Sequence, residues 1–495
     1  MSQVGGIQKV LIANRGEIAV RVARTLAELG IASAAVVHAE DAASPATASV
    51  DEACPIEGET PVAAYLDADQ IIRTAREIGA DAIHPGYGFL AENADFAEAV
   101  EAAGIRFIGP DSRAIRLMGD KIESRAFVAS LGLPLTPSAT EEEDPPTFEA
   151  RAAEIGFPLL IKASAGGGGK GMQIVRKADE LGPAIDRARS EAERYFADGR
   201  IYAERYIEEP RHIEVQVLAD DQGACIHLGE RDCSIQRRFQ KLIEETPAPS
   251  IPDSLRSAIC EQAVQIARAA KYRNAGTVEF VLAPTGEFYF LEMNTRLQVE
   301  HPVTEMVTGI DLVEEQIRIA AGEPLRLTQE EVRCSGASIE CRLCAEDADE
   351  DFRPAVGEIL LYRPPEASGL RFESGISAGQ AITTAFDPML AKLVVHAENR
   401  EAAIEKTREA LRETVLLGVT TNTAYLERIL AHPEFAAGRV ETGFIPKHEK
   451  SLEPPPLSEG DRHTLIAAAA LSDRDFLSRA QSVPQPHALM GPWRN

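Results

Sequence analysis

The first hundred residues of the chain alternate short apolar runs with stretches of helical period. Apolar runs at 9–13, 32–37 and 82–84 predict β-strands, and apolar positions three or four apart at 17–29 and 68–78 predict helices between them. A strand-helix-strand order predicts a parallel sheet covered by helices. The fold class expected here is therefore α/β, followed by further domains.

Two turns of this segment lie where α/β domains often bind ligands. The turn at 14–17 holds one glycine and so lacks a dinucleotide-binding fingerprint; no cofactor is expected there, and the domain is interpreted as a scaffold that lends a few residues to a site. The segment 84–89 contains Pro85, Gly86 and Gly88 and follows a strand at its C-terminal end, where open α/β sheets bind ligands. A tight turn that simply requires Pro and Gly is the alternative.

The pattern changes after an acidic, proline-containing stretch at 141–146. Residues 157–175 predict a hairpin, and 200–207 predict a strand that leads out of this small lobe. The run 212–218 alternates apolar and polar positions, which by itself suits a sheet facing solvent. The cations at 231–241 favour a binding face instead, with a solvated basic face as the alternative.

Four consecutive glycines, 166–169, occupy the tip of the predicted hairpin. Glycine lets successive backbone N–H groups turn toward one anion, and Lys162 and Lys170 add positive charge at either end. The spacing matches no Walker loop. We expect a flap over a nucleotide triphosphate; a flexible linker is the alternative.

A second hairpin, at 276–282 and 287–294, carries acids among large apolar residues. Glu292 and Asn294 are two residues apart and share a face, and Glu279 lies in the middle of the first strand. Buried carboxylates need a partner or a metal, and oxygen ligands suit Mg²⁺ or Mn²⁺ bridging nucleotide phosphates. Ordinary exposed acids are the alternative. The next segment, 296–302, contains a cation, an amide and an acid within five residues: Arg296, Gln298 and Glu300. Such a group favours chemistry on a small anion.

Composition narrows the classes of partner. The 495 residues carry 51 Lys and Arg against 78 Asp and Glu, a net charge of −27, which disfavours nucleic acid and anionic membranes. No apolar run is long enough for a membrane span, and no signal-peptide pattern is present, so a cytoplasmic location is expected. The seven cysteines include one Cys341-x-x-Cys344 pair, which we interpret as incidental.

These motifs, taken together and in order, resemble biotin carboxylase, a member of the ATP-grasp superfamily. The resemblance spans about residues 7–449 and rests on segments 84–93, 118–121, 162–172, 231–241, 292–302 and 339–342. It implies an N-terminal α/β domain, an ATP-grasp domain with a flap lobe, a C-terminal biotin carboxylase domain, and a Pro-rich linker with a helical tail. The expected bounds are 1–119, 120–329 with the lobe at about 136–206, 330–449, and 450–495.

The resemblance also implies a role for individual residues. ATP would contact Lys121, Lys162, Gly168, Gly169, Glu204, Ile207 and His212, and the metal would be held by Glu279, Glu292 and Asn294. Bicarbonate would contact Lys241, Arg296, Gln298 and Val299, with Glu300 as general base. Biotin would lie near Tyr87, Gly88, Gln236, Arg342 and Asp387, with Arg342 stabilising its enolate. The chain departs from the family pattern at two positions: Phe239 stands where the family usually has histidine, and Ala165 where it usually has glycine.

The implied activity is ATP- and bicarbonate-dependent carboxylation of biotin. None of the seven methionines precedes a lysine, so the expected biotin is carried on another polypeptide or on a region outside this sequence. A biotin carboxyl carrier protein, carboxyltransferase subunits and a second copy of the chain are the expected partners. The final acceptor stays open, and the alternatives are another ATP-grasp ligase or a non-catalytic nucleotide-binding subunit.

Overall fold

A parallel five-stranded sheet forms the N-terminal part of the computed structural model, which describes residues 4–141, 143–164, 172–196 and 198–472. The strand order is β3-β2-β1-β4-β5. The strands and helices are β1 Lys9–Ile12, α1 Gly16–Leu29, β2 Ala32–Val37, α2 Pro45–Ser49, β3 Glu52–Pro55, α3 Pro61–Tyr65, α4 Ala68–Glu77, β4 Ala82–His84, α5 Ala94–Ala102, β5 Arg106–Phe107 and α6 Ser112–Gly119. Helix α1 ends where Gly30 adopts a left-handed conformation, φ 70°. The predicted α/β sheet is confirmed.

A small lobe follows, built on a four-stranded antiparallel sheet of order β6-β9-β7-β8. Its elements are α7 Lys121–Ser130, β6 Ser138–Thr140, α8 Phe148–Ile155, β7 Leu159–Ala163, β8 Gln173–Val175, α9 Leu181–Phe196 and β9 Ile201–Arg205. Strands β7 and β8 pair from Leu159 to Val175, so the predicted hairpin is present. The glycine run, with Gly168 and Gly169, lies outside the described residues.

The largest layer is an eight-stranded antiparallel sheet of order β14-β13-β10-β11-β12-β15-β22-β20. Its strands and the neighbouring helices are β10 Arg211–Ala219, β11 Cys225–Arg237, β12 Gln240–Thr246, α10 Asp253–Ala269, β13 Asn274–Leu282, β14 Phe288–Asn294, α11 His301–Thr308, α12 Leu312–Ala320 and β15 Ala337–Cys344. Strand β12 pairs with β15, so the sheet runs without a break across the predicted domain boundary at 329/330. That boundary stays a prediction.

The remaining elements complete the C-terminal part. They are β16 Glu346–Asp347, β17 Arg353–Pro354, β18 Gly357–Glu358, β19 Leu361–Arg363, β20 Leu370–Ser374, β21 Ala381–Ile382, β22 Met389–Ala397, α13 Arg400–Glu413, β23 Val415–Leu417, α14 Thr423–Ala431, α15 Pro433–Ala436 and α16 Phe444–His448. Residues 453–495 form a separate unit, of which α17 Glu459–Ser472 is described. Among the described residues, no helix is both long and apolar enough to cross a membrane.

The structure bears on two alternatives about exposure that the sequence left open. Strand β10 buries both faces, because Glu214 and Gln216 are as inaccessible as the apolar residues between them. Arg231, in the cationic cluster, is fully buried. A solvated basic face is therefore excluded at Arg231, and the polar face of β10 belongs to an interior cluster.

Gly375 is predicted to be required where α1 meets the C-terminal part. A Cβ at Gly375 would lie 2.5 Å from the backbone nitrogen of Glu17, and neither backbone can move away cheaply. We expect Gly375→Ala to lower the free energy of unfolding by about 1–3 kcal/mol, measured by urea denaturation. Gly119→Ala is the control, because a Cβ there meets nothing within 4 Å. Equal urea midpoints for the two variants would contradict the close approach.

Candidate active site

A single lysine amino group lies between three buried carboxylates at the middle of the wide sheet. Nζ of Lys241 lies 2.6 Å from Oε2 of Glu214, 2.9 Å from Oε1 of Glu279 and 2.6 Å from Oε1 of Glu300. Burial lowers the pKa of Lys241, but the three carboxylates raise it well above its ordinary value. We call these four residues the Lys241 cluster; its lysine stays charged.

Arg231 supports this cluster from strand β11. Its guanidinium donates to Oε1 of Glu214 at 2.5 Å and to the side-chain oxygens of Gln216 and Thr304, each at 2.9 Å. A fully buried arginine needs such a complete set of acceptors. Arg231 therefore holds Glu214 in place, and with it one wall of the Lys241 cluster.

Arg342 and Glu300 form the adjoining part of the site. Nη2 of Arg342 donates to Oε2 of Glu300 at 2.9 Å, and Nε donates to Oε1 of Glu244 at 2.6 Å. Burial raises the pKa of Glu300, but Lys241, Arg342 and Arg231 outweigh this and hold it below its ordinary value. The partners of Arg342 are Glu244 and Glu300, so an ion pair with Glu340 is not what holds it.

The loop between β14 and α11 is fixed by contacts from distant segments. Nζ of Lys392, on β22, donates to the backbone oxygen of Val299 at 2.8 Å and lies 3.0 Å from Oε1 of Glu17. The hydroxyl of Tyr87 donates to that same Glu17 oxygen. Glu300 is the residue that precedes α11, so these contacts also set the position of its carboxylate.

The residues predicted to hold a metal lie close together on β13 and β14. Glu279 is directly opposite Glu292 in the strand register, and Nδ2 of Asn294 donates to Oε1 of Glu279 at 2.9 Å. Nζ of Lys121 lies 2.7 Å from Oε2 of Glu292, and Nε2 of His212 lies 2.8 Å from Oε2 of Glu279. Two carboxylates and an amide oxygen on one face fit a hard divalent cation.

Arg296 lies beside these residues. It donates to Oε2 of Glu92 at 2.7 Å, to Oε1 of Gln298 at 2.9 Å and to Oδ1 of Asn294 at 3.2 Å. Its contact with Gln298 brings together two residues predicted to bind bicarbonate. Its contact with Asn294 places them next to the predicted metal site.

A buried ion-pair group lies at the entrance to the small lobe. Nζ of Lys162 donates to Oε1 of Glu204 at 2.9 Å, and Arg125 and Thr136 donate to Oε2 at 2.9 and 2.6 Å. Glu204 therefore accepts three hydrogen bonds. With Ile207 and His212 it lines an elongated, mainly apolar cavity of about 110 Å³.

A larger cavity of about 490 Å³ brings most of the predicted site residues together. It is lined by Tyr87, Gly88, Lys121, Lys162, His212, Gln236, Lys241, Glu279, Glu292, Asn294, Arg296, Gln298, Val299, Arg342 and Asp387. Lys162 and His212 also line the smaller cavity, so the two share a wall. Glu300 lies just beneath the larger one, fully buried and in contact with Lys241 and Arg342.

Five residues of the site were not singled out from the sequence. They are Glu17, Glu214, Arg231, Glu244 and Lys392. The alternating pattern of β10 signalled Glu214, and a lone lysine within the apolar run 389–397 could have signalled Lys392. Glu244 is brought to Arg342 by the pairing of β12 with β15, and Glu17 reaches Lys392 from helix α1. Arg231 lies within the cationic segment 231–241 but was not named individually.

A small antiparallel lobe, a wide antiparallel sheet that carries buried carboxylates and two cavities that share a wall define a protein of the ATP-grasp class. Comparison with known families agrees. Residues 6–115 match the biotin carboxylase N-terminal domain, 120–328 match the ATP-binding domain of the carbamoyl-phosphate synthase L chain, and 340–447 match the biotin carboxylase C-terminal domain.

Individual relatives cover nearly the whole chain. It is 45% identical over 489 residues to the mitochondrial methylcrotonoyl-CoA carboxylase subunit alpha of Dictyostelium discoideum, covering 98% of this chain and 69% of that one. It is 48% identical to the biotin carboxylase of Nostoc sp., covering 89% and 99%. The biotin carboxylase domain dimer of Hydrogenobacter thermophilus 2-oxoglutarate carboxylase, solved with MgADP, ADP and bicarbonate, matches with a TM-score of 0.88 and 45% identity over 91% and 99% of the two chains. The chain belongs to the biotin carboxylase family.

Glu204 provides a prediction about stability and pH. Burial raises its pKa, but Lys162 and Arg125 lower it to about 2 from an ordinary 4.5. A lowered folded-state pKa stabilises the fold above the unfolded pKa, here by about 3 kcal/mol, and this is lost as pH falls toward the folded value. Between about pH 6 and about pH 3, we expect a loss of about 2 kcal/mol from this group.

The measurement is the urea unfolding free energy at both pH values. Glu204→Gln should be destabilised at the higher pH, because Lys162 and Arg125 lose their charge partner, and should lose about 2 kcal/mol less on acidification. Glu208→Gln is the control, since that exposed carboxylate pairs only at the surface. If the unfolding free energy of Glu204→Gln changed with pH as much as that of the wild type, Glu204 would not be the source of the pH-dependent stability.

Proposed function

We propose that this chain carboxylates biotin with ATP and bicarbonate, the first half-reaction of a biotin-dependent carboxylase. The observation that carries the proposal is the shared cavity. There Arg296 and Lys241 can bind a small anion between the oxygen ligands on β13 and β14 and the guanidinium of Arg342. The test is to measure ATP cleavage with and without bicarbonate and biotin. A rate that is the same in the presence and absence of both compounds would contradict the proposal.

ATP is assigned to both cavities. Its base would enter the mainly apolar cavity lined by Glu204 and Ile207, with the ribose near His212. Its phosphates would reach Lys121 and Lys162 in the larger cavity. The flap glycines Gly168 and Gly169 would cover them. Both lysines now contact carboxylates, so phosphate oxygens would join or replace those carboxylates as partners.

The metal assigned to this site is Mg²⁺ or Mn²⁺. Glu279, Glu292 and Asn294 would hold it through their oxygen atoms. A divalent cation supplies charge stabilisation for phosphoryl transfer when it is bound. The role of the chain is to keep two carboxylates facing each other across paired strands, which the register of β13 and β14 does.

Bicarbonate is assigned to Lys241, Arg296, Gln298 and Val299, and Glu300 is assigned as its base. Glu300 is ionised in the structure because Lys241 and Arg342 lower its pKa. An anion that draws Lys241 toward itself weakens this stabilisation, so the pKa of Glu300 rises as bicarbonate binds. Glu300 would then accept the bicarbonate proton, and the freed oxygen would attack the γ-phosphorus of ATP, break its bond to the β-phosphate oxygen and form carboxyphosphate and ADP.

Arg342 is assigned to the biotin step. When Glu300 becomes neutral, its attraction for Arg342 weakens, while Glu244 still holds Nε. The remaining guanidinium N–H groups can then face the biotin enolate, which forms when phosphate takes the N1′ proton. Tyr87, Gly88, Gln236 and Asp387 would line the rest of the biotin site. Carbon dioxide released from carboxyphosphate adds there to N1′.

The assignment of a biotin carboxylation reaction implies which proteins act with this chain. Biotin would be supplied by a carrier domain or carrier protein, and carboxyltransferase subunits would use the product. A homodimer and a cytoplasmic location are also proposed, although several of the related proteins are mitochondrial. The acceptor would be an acyl-CoA or a keto acid.

Glu300→Gln tests the general base. We expect bicarbonate-dependent ATP cleavage to fall by roughly two to four orders of magnitude, the usual scale for losing a general base, with MgATP binding retained. Glu305→Gln is the matched control, because Glu305 is a buried, arginine-paired acid on α11, the helix that Glu300 precedes, and lies outside the cavity. It should lose stability but keep the chemical rate. An unchanged rate in Glu300→Gln would exclude Glu300 as the base.

Arg342→Met tests the biotin step. We expect biotin carboxylation to be nearly abolished while bicarbonate-dependent ATP cleavage persists, because carboxyphosphate forms before biotin is used. Both reactions should be measured on the same folded preparation. Arg371→Met is the control, since Arg371 pairs with Glu305 and Glu373 away from the cavity. Parallel losses of both reactions in Arg342→Met would contradict the enolate role.

A further inference from the structure

Two buried carboxyl groups lie behind Arg342, and the steps assigned above use neither as an acid. Glu244, on β12, and Glu340, on β15, are directly opposite each other in the antiparallel register, and both are fully buried. Side chains at opposite positions have Cβ atoms roughly 5 Å apart and share a face. The two carboxyl groups therefore occupy one small interior space.

Three of the four carboxyl oxygens of this pair have no hydrogen-bond partner among the described residues. Oε1 of Glu244 accepts from Arg342, while its Oε2 has no partner among the described residues. Neither oxygen of Glu340 has a partner in that part of the chain. Two opposed carboxylates without donors would carry the cost of both desolvation and repulsion. One shared proton removes both costs, because it turns one group into a donor and leaves the other as acceptor.

The surrounding charges identify which group carries the proton. Burial raises the pKa of Glu244 to about 7, but Arg342 donates a hydrogen bond to Glu244 and favours its ionised form. Glu340 has no such donor among the described residues, so the shared proton is assigned to Glu340. The charges that act on Glu340 are those of Lys392 on β22, Glu244 on β12, Arg342 on β15 and Glu300 before α11, and Cys341 lies on the opposite face of β15. Burial raises the pKa of Glu340 well above its ordinary value, and Lys392 does not offset it.

We propose that Glu340 is a neutral carboxylic acid that donates a hydrogen bond to Glu244 and thereby positions Arg342 for the biotin step. The inference rests on the proposed use of Arg342. Glu340 is a positioning residue and touches no substrate. Its neutral form also matters for charge, because an ionised Glu340 would compete with Glu300 and biotin for the guanidinium.

The proton itself can be observed without any assay of activity. Infrared difference spectra of the full chain should show the carbonyl band of a protonated carboxyl group in the wild type that is missing in Glu340→Gln. Glu373→Gln is the control, because Glu373 is a buried acid of the same sheet whose pKa is lowered by Arg371 and Arg24 after burial raises it. That variant should keep the band. A wild type without a band assigned to Glu340 would overturn the proposal.

Positioning is tested by comparing two neutral substitutions. Glu340→Gln keeps the size and a donor, so biotin carboxylation should stay within about threefold of the wild type. Glu340→Leu leaves Oε2 of Glu244 unpaired and should lower biotin carboxylation about tenfold or more, with bicarbonate-dependent ATP cleavage retained. If Leu prevents folding, the Gln variant and the infrared band still test the proposal.

Several results would contradict the inference. Equal losses in the Gln and Leu variants would exclude a neutral donor, and parallel losses of both reactions with lower stability would indicate a purely structural role. A failure of the proposed function looks different, because wild-type protein would then not carboxylate biotin whatever the infrared result.

Discussion

The Lys241 ammonium among three carboxylates is the interaction on which the site depends. Each carboxylate comes from a different segment: Glu214 from β10, Glu279 from β13, and Glu300 from the loop before α11. Burying any one of these acids alone would cost several kcal/mol, so the lysine makes the whole arrangement possible. Because the same lysine faces the cavity, a small anion that binds it would compete with all three acids for the ammonium group.

The wide sheet turns distant parts of the chain into neighbours. Strands β12 and β15 are paired although about a hundred residues separate them, and this pairing puts Lys241 and Arg342 on either side of Glu300. A rigid sheet is well suited to holding such groups within hydrogen-bond distance. The small lobe is built on a sheet of its own, so its residues Lys162 and Glu204 are held by different strands from those that hold the Lys241 cluster.

The sequence predicted local structure and chemistry well, but it did not predict long-range pairing. The strands and helices of the first segment, the hairpin of β13 and β14 and the oxygen ligands follow from short-range patterns. Glu244 and Lys392 look like ordinary strand residues, because their roles arise only when β12, β15 and β22 align. The resemblance to biotin carboxylase supplied most site residues, whereas the contacts between their neighbours required the structure.

A protein with a net charge of −27 must bind anionic substrates against its own field. The structure addresses this by pairing its cations with acids before substrate arrives: Lys121 with Glu292, Lys162 with Glu204, and Lys241 with three partners. Binding then exchanges one anion for another and creates no isolated charge. In the proposed mechanism, proton transfer to Glu300 would make the exchange directional, because a neutral Glu300 attracts Arg342 less than a carboxylate does. The Glu300–Arg342 ion pair would then link the bicarbonate step to the biotin step.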